Sequence, residues 1–214
     1  MAQKVHVGLV LDRSGSMEDC RTDAIGAVNS YLRQVKEDKD MEASISLITF
    51  DSQSIDVIRD KVPAVGCAEL ASSEYQPRAS TPLLDAVGHG VALLDKHKQP
   101  GERCILAVMT DGLENASREY TKETIKALLD RKQQEEGWLV LYLGANHDSW
   151  AQAHAIGLHA GNVAAFDKLA VRASMTAIGA RSKRYAMAAD ASGEARSGGF
   201  TEAERAGMRP TRKR

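Results

Sequence analysis

Residues Val5 to Leu11 (VHVGLVL) limit most sharply what this chain can fold into. The run is nearly all apolar and the length of one strand, as expected of a strand buried on both faces. Such strands need helices above and below the sheet, so helical crossovers should follow. They do. In Glu18 to Lys36, Ala24, Ala27, Val28, Tyr31, Leu32 and Val35 recur at spacings of three and four, which predicts a helix. The same alternation continues with strands at Ala43–Phe50, Ile55–Val62, Cys104–Thr110, Trp138–Leu143 and Val163–Phe166. Helical patterns lie between and after them at Pro82–His97, Tyr120–Glu136, Ser149–Ile156 and Asp167–Ala180. Only Asp51-Ser52-Gln53 and a residue or so beyond separate the second and third strands, which makes the third antiparallel to the second. The fold class that follows is α/β, a doubly wound and mainly parallel six-stranded sheet with helices on both faces.

Charge divides the chain in two. Residues 1–180 hold 19 Lys and Arg against 25 Asp and Glu, a net of −6; residues 181–214 hold 9 against 4, a net of +5. Periodicity fades after Ala180, and Ser197-Gly198-Gly199 and the Arg209–Arg214 end predict a mobile basic tail behind a domain at 1–180. Nine cations in that tail would suit an accessory nucleic-acid contact. No apolar stretch approaches the roughly 18 residues of a membrane span, and the N-terminus lacks signal-peptide features. Cys20, Cys67 and Cys104 are odd in number and far apart, so neither a disulfide framework nor a thiolate zinc site is expected. His147, His154 and His159 are 7 and 5 residues apart, which is no zinc spacing. A cytoplasmic setting is the expectation.

Side chains just beyond strand C-termini in a doubly wound sheet converge on one crevice. Asp12-Arg13-Ser14-Gly15-Ser16-Met17 stands directly after the first strand and offers a carboxylate and two hydroxyls. Thr110-Asp111-Gly112 closes the fourth strand, and Ser80-Thr81-Pro82 opens the middle helix. Asp12, Ser14, Ser16, Thr81 and Asp111 are all hard oxygen donors, which select Mg²⁺, Mn²⁺ or Ca²⁺ over zinc or copper. Mg²⁺, which keeps waters and needs few carboxylates, suits the set best. Taken singly, each segment reads as a helix cap or a turn; the conjunction is what points to metal. Arg13, Asp51, Asn115, Asn146 and His147 adjoin these loops and are candidates for a rim that touches a partner.

These positions match, without departure, the Asp-x-Ser-x-Ser…Thr…Asp pattern of the von Willebrand factor type A domain, whose metal-ion-dependent adhesion site the five residues resemble. Asp12–Met17, Tyr75–Ala86 and Thr110–Ser117 further resemble a bacterial and phage-associated branch of that family. The resemblance implies the strand order 3-2-1-4-5-6. It also implies an ion held largely by neutral hydroxyls and completed by a partner's Asp or Glu carboxylate. The function implied is a protein-binding module, an adaptor or scaffold, rather than an enzyme.

A phosphatase of the haloacid-dehalogenase type is the alternative, since it too starts with Asp at the end of its first strand. It needs a second Asp two residues on, where this chain has Ser14. Neither a Walker A nor a Gly-x-Gly-x-x-Gly motif is present.

Overall fold

The computed structural model describes residues 2–144, 148–165 and 171–208. Strand β1 (Gln3–Asp12) lies at the centre of the sheet, between β2 (Met41–Phe50) and β4 (Arg103–Thr110), both parallel to it. Strand β3 (Ile55–Pro63) runs antiparallel to β2 at one edge. Strands β5 (Leu139–Gly144) and β6 (Val163–Ala165) complete the other side in parallel. The order is 3-2-1-4-5-6, as expected.

Alternation along β1 explains why its Val5–Leu11 stretch is nearly all apolar. Val5, Val7, Leu9 and Leu11 join a cluster with α1 (Arg21–Glu37) and α5 (Val171–Met187). Val10, on the opposite face, packs with α2 (Leu83–His97) and α3 (Lys122–Gln134). Each such aliphatic side chain, withdrawn from water on both layers, contributes about 1.5–3 kcal/mol. Helix α2 approaches β1 so closely that a Cβ at Gly90 would fall 2.7 Å from Val10 Cγ2, so a side chain there would push the layer apart.

Element boundaries move by a few residues. The helix expected from Glu18 begins as a 3₁₀ turn, Gly15–Cys20, and becomes α-helical at Arg21. Pro82 caps α2 from outside its first turn, and Thr121 caps α3 with its side chain. The helix expected at Ser149–Ile156 is α4 (Asp148–Ala155). Phe166 and Asp167, placed at the end of β6 and the start of the last helix, lie outside the described residues.

The mobile tail is the main correction. Helix α5 runs on to Met187, and α6 (Ala191–Ser197) and α7 (Glu202–Gly207) follow. Tyr185, Ala195, Phe200 and Met208 are buried in the main core, so the domain does not end at residue 180. The cations among the described residues are engaged internally. Arg181, wholly buried, bonds Glu194 at 2.8 Å and Asn162 at 3.3 Å. Arg184 forks onto Glu204, and Arg205 donates to the carbonyls of Ala160, Gly161 and Val163. A charge count cannot separate a solvated basic run from one whose partners lie elsewhere in the fold. Residues 209–214 lie outside the described residues.

Among the described residues no helix is long and apolar enough to cross a membrane. All three cysteines are free and buried.

Candidate metal centre

The register that sets Leu11 opposite Met109 brings Asp12 and Asp111 together at the C-terminal ends of adjacent strands, where the strand order reverses. The five predicted donors converge there. Ser16 Oγ donates to Asp111 Oδ1 at 2.5 Å, and the Ser14 and Ser16 hydroxyls are 3.2 Å apart. The Ser14 amide donates to Asp12 Oδ1 at 2.7 Å. Thr81 enters from across Gly112: a Cβ at residue 112 would sit 2.6 Å from Thr81 Oγ1 and 3.4 Å from Asp12 Oδ2. Glycine therefore leaves to oxygen atoms a space that a methyl group would fill. Ser16 and Gly15 are exposed, while Asp12, Ser14, Thr81 and Asp111 are buried, so the cluster is sunk into the rim but open on one side.

Three loops are fastened to one another around this cluster. The Tyr75 hydroxyl, fully buried, donates to the Asp12 carbonyl at 2.5 Å. The Arg78 amide donates to the Arg13 carbonyl and the Gly15 amide to the Ala79 carbonyl. Ala79 is held at φ +58°, a left-handed backbone that an alanine adopts at a cost of about 1–2 kcal/mol. Thr81 is clamped by Asn115, whose Oδ1 accepts its amide at 2.9 Å and whose own amide donates back to the Thr81 carbonyl. Glu114 holds the same corner: Oε2 accepts from the Leu84 amide at the start of α2, and Oε1 from the amides of Ala116 and Ser117.

The predicted rim is placed differently. Arg13 and Asp51 are buried and paired at 2.8 Å, and Arg13 also reaches Asp56 at 2.8 Å and Ser54 at 2.9 Å. Arg78 bonds Asp51 from the other side at 2.9 Å. Arg13 and Asp51 therefore tie the β1 and β2–β3 loops together and present no free side chain at the surface. Asn115 is exposed, yet its amide group holds Thr81. Asn146 and His147 lie outside the described residues.

Thr110 was not among the predicted donors, yet it touches the site. Its hydroxyl donates to Asp12 Oδ2 at 2.5 Å and accepts from the Gly112 amide at 3.0 Å. Setting the last residue of the fourth strand beside Asp12 would have found it; the spacing of Asp-x-Ser-x-Ser could not.

Burial pushes the Asp12 carboxyl up from 3.8 to about 6, and the nearby Asp111 charge adds to this. Hydrogen bonds from Thr110 and Ser14 act in the opposite direction. No ion pair reaches Asp12 among the described residues, since Arg13 turns away to Asp51 and Asp56. The centre thus holds a buried carboxylate whose charge is under-compensated by protein, which is the setting a cation relieves. No cluster of three His, Cys, Asp or Glu occurs among the described residues. A cation here would rest on two carboxylates and three hydroxyls, a hard-oxygen set.

No protein-family model and no curated protein matches the chain. Solved structures do. A von Willebrand factor type A protein from Catenulispora acidiphila superposes with a TM-score of 0.60 at 15% identity, over 85% of this chain and 43% of its own length. The PilB minor pilin of Streptococcus sanguinis gives 0.61 at 13% identity, over 86% and 62%. The manganese-loaded TRAP protein of Plasmodium vivax gives 0.55 at 16% identity, over 80% and 71%. The chain thus spans less than half of the first of these structures and under two-thirds of the second. At such identities the likeness establishes the fold, which is that of a von Willebrand factor A-like domain.

Proposed function

We propose that this chain is a metal-dependent protein-binding module, an adaptor or scaffold, in which Asp12, Ser14, Ser16, Thr81 and Asp111 hold a divalent cation. Mg²⁺ is the preferred ion, with Mn²⁺ or Ca²⁺ as substitutes. The observation that carries the reading is the meeting of two carboxylates and three hydroxyls at one strand-end crevice, around a space kept clear by Gly112. The TRAP protein, similar in fold, is manganese-loaded, which supports a divalent ion here.

Bound there, the cation supplies an electrophilic coordination position that a carboxylate from outside can fill. The chain's own groups prepare that position. Serine and threonine hydroxyls donate lone pairs without adding charge, so only Asp12 and Asp111 offset the dication. Thr110 and the Ser14 amide fix the rotamer of Asp12. Asn115 and Glu114 hold the Thr81 corner at its distance from Asp111. The partner this favours is a protein offering Asp or Glu. The three separated free cysteines support a cytoplasmic setting, and the Asp12–Met17, Tyr75–Ala86 and Thr110–Ser117 strings support the bacterial and phage-associated branch.

A pull-down in Mg²⁺ against EDTA, with wild type and Asp12→Ala, tests the reading. A partner kept only with metal and intact Asp12 supports it; a partner kept equally by both proteins in EDTA refutes it.

The raised carboxyl of Asp12 favours one rival, a metal-dependent hydrolase, because acid–base groups carry such shifts. Ser14 stands where that chemistry would need a second acid, so the proposal is non-catalytic. It predicts no Asp12-dependent release of p-nitrophenol from p-nitrophenyl phosphate.

A further inference from the structure

The ion site does not stand alone on its side of the molecule. A cavity of about 250 Å³ opens beside Thr81, between the Ser52–Ile55 turn and the Ala116–Glu119 loop, with Pro82 in its wall. A second cavity, of about 300 Å³, lies between β3 and α2 and is lined by Ile48, Ile55, Val57, Ala92, Leu93 and Tyr120. Ile55 and His89 line both, so the two are halves of one groove that leads from the ion's rim to the edge of the sheet.

The halves differ in chemistry. In the upper half every acid has a partner: Asp51 holds two arginines, Asp85 accepts three backbone amides, and Glu119 bonds His89 at 2.9 Å. Arg118 is exposed, and its guanidinium makes no hydrogen bond or ion pair among the described residues. Close to a bound dication, that guanidinium offers a second acidic group of a ligand a direct ion-pair partner. The lower half is mainly apolar, with His89 and Lys96 also in its wall. Val57 is 49% exposed there, on the edge strand, and Leu93 is partly exposed on α2. An aliphatic hollow that continues a polar, cation-bearing crevice matches the interface pattern of a charged anchor next to an apolar contact.

Resting on the ion-site reading above, we propose that the groove between β3 and α2 is the partner's second docking subsite. It receives an extended acidic segment of a partner protein, whose one carboxylate completes the ion, whose further acidic group meets Arg118, and whose aliphatic side chain enters the hollow at Val57 and Leu93.

The test is selection of a random twelve-residue phage-displayed peptide library on the immobilised full chain in Mg²⁺, with elution by EDTA. The recovered peptides are expected to hold an Asp or Glu at a fixed distance from a Leu, Ile or Val. A synthetic copy of the leading peptide is then expected to bind Val57→Glu, Leu93→Glu and Arg118→Glu at least tenfold more weakly. Mn²⁺ affinity should be unchanged in all three surface variants, which shows that they are folded. Acidic peptides without a fixed aliphatic position, or equal binding by the three variants, would overturn the groove and leave the ion site standing. Enrichment indifferent to EDTA would overturn the ion reading and the groove proposal with it.

Discussion

Asp12→Asn should make the ion-free protein more stable while destroying its response to metal. In the fold the carboxyl of Asp12 is raised from 3.8 to about 6 by burial and by Asp111. The folded state therefore holds more protons than the unfolded state between those values, and stability falls as pH rises through the window. At pH 7.5 the ionised group costs up to about 3 kcal/mol, from about two pH units at 1.36 kcal/mol each. Asparagine is close to isosteric and keeps the Oδ1 that accepts the Ser14 amide. The Thr110 hydroxyl can turn to the Gly112 carbonyl, 3.2 Å away, and accept from the new amide. Allowing for that rearrangement, the gain is about 1–3 kcal/mol. The assay is urea denaturation in EDTA at pH 7.5 and pH 5, for both proteins. The variant should lead at pH 7.5, and the lead should shrink at pH 5, where wild-type Asp12 is largely protonated. With Mg²⁺ at a hundred times its dissociation constant, wild type alone should gain about 2.7 kcal/mol. A variant less stable than wild type in EDTA at pH 7.5 would refute the claim that the buried charge is under-compensated.

Other perturbations have distinct signatures. Gly112→Ala drives a methyl group to 2.6 Å from Thr81 Oγ1, and should weaken Mn²⁺ binding at least tenfold while costing about 1–3 kcal/mol, read by calorimetry and melting. His6 is fully buried, bonds Ser46 at 2.9 Å, and is lowered by burial from 6.5 to about 4. The unfolded state binds the proton first, so stability should drop by up to about 3 kcal/mol as pH falls from 6.5 to 4. His6→Gln should lose that part of the acid sensitivity in a pH series of denaturation curves. Truncation after residue 180 should not leave a sound domain: it removes buried Arg181, Tyr185, Phe200 and Met208, and should lower the melting temperature by well over 10 °C or abolish folding.

The sheet was readable because both-face burial writes itself as nearly continuous apolar runs such as Val5–Leu11 and Leu139–Leu143. The five site donors were readable for a related reason: strand ends and helix starts fix where Asp12, Thr81 and Asp111 emerge. Spacing does not fix side-chain direction, however. Arg13 is the x of Asp-x-Ser-x-Ser and looks like a rim residue, but it turns inward because Asp51 on the β2–β3 loop and Asp56 at the start of β3 await it. Thr110 and Glu114 act across strands and loops, so their roles appear only once the register is known. Residues 181–208 read as a tail because they are basic and rich in Gly and Ser. The groups that order them, Asn162 and the carbonyls of Ala160, Gly161 and Val163, are distant in sequence.

The most direct test of the central claim is the titration of Mn²⁺ into the full chain, followed by electron paramagnetic resonance, for wild type and Asp12→Asn. One ion per wild-type chain, lost in the variant and displaced by Mg²⁺, is the predicted result. Equal Mn²⁺ uptake by the two proteins, or none by wild type, would contradict it.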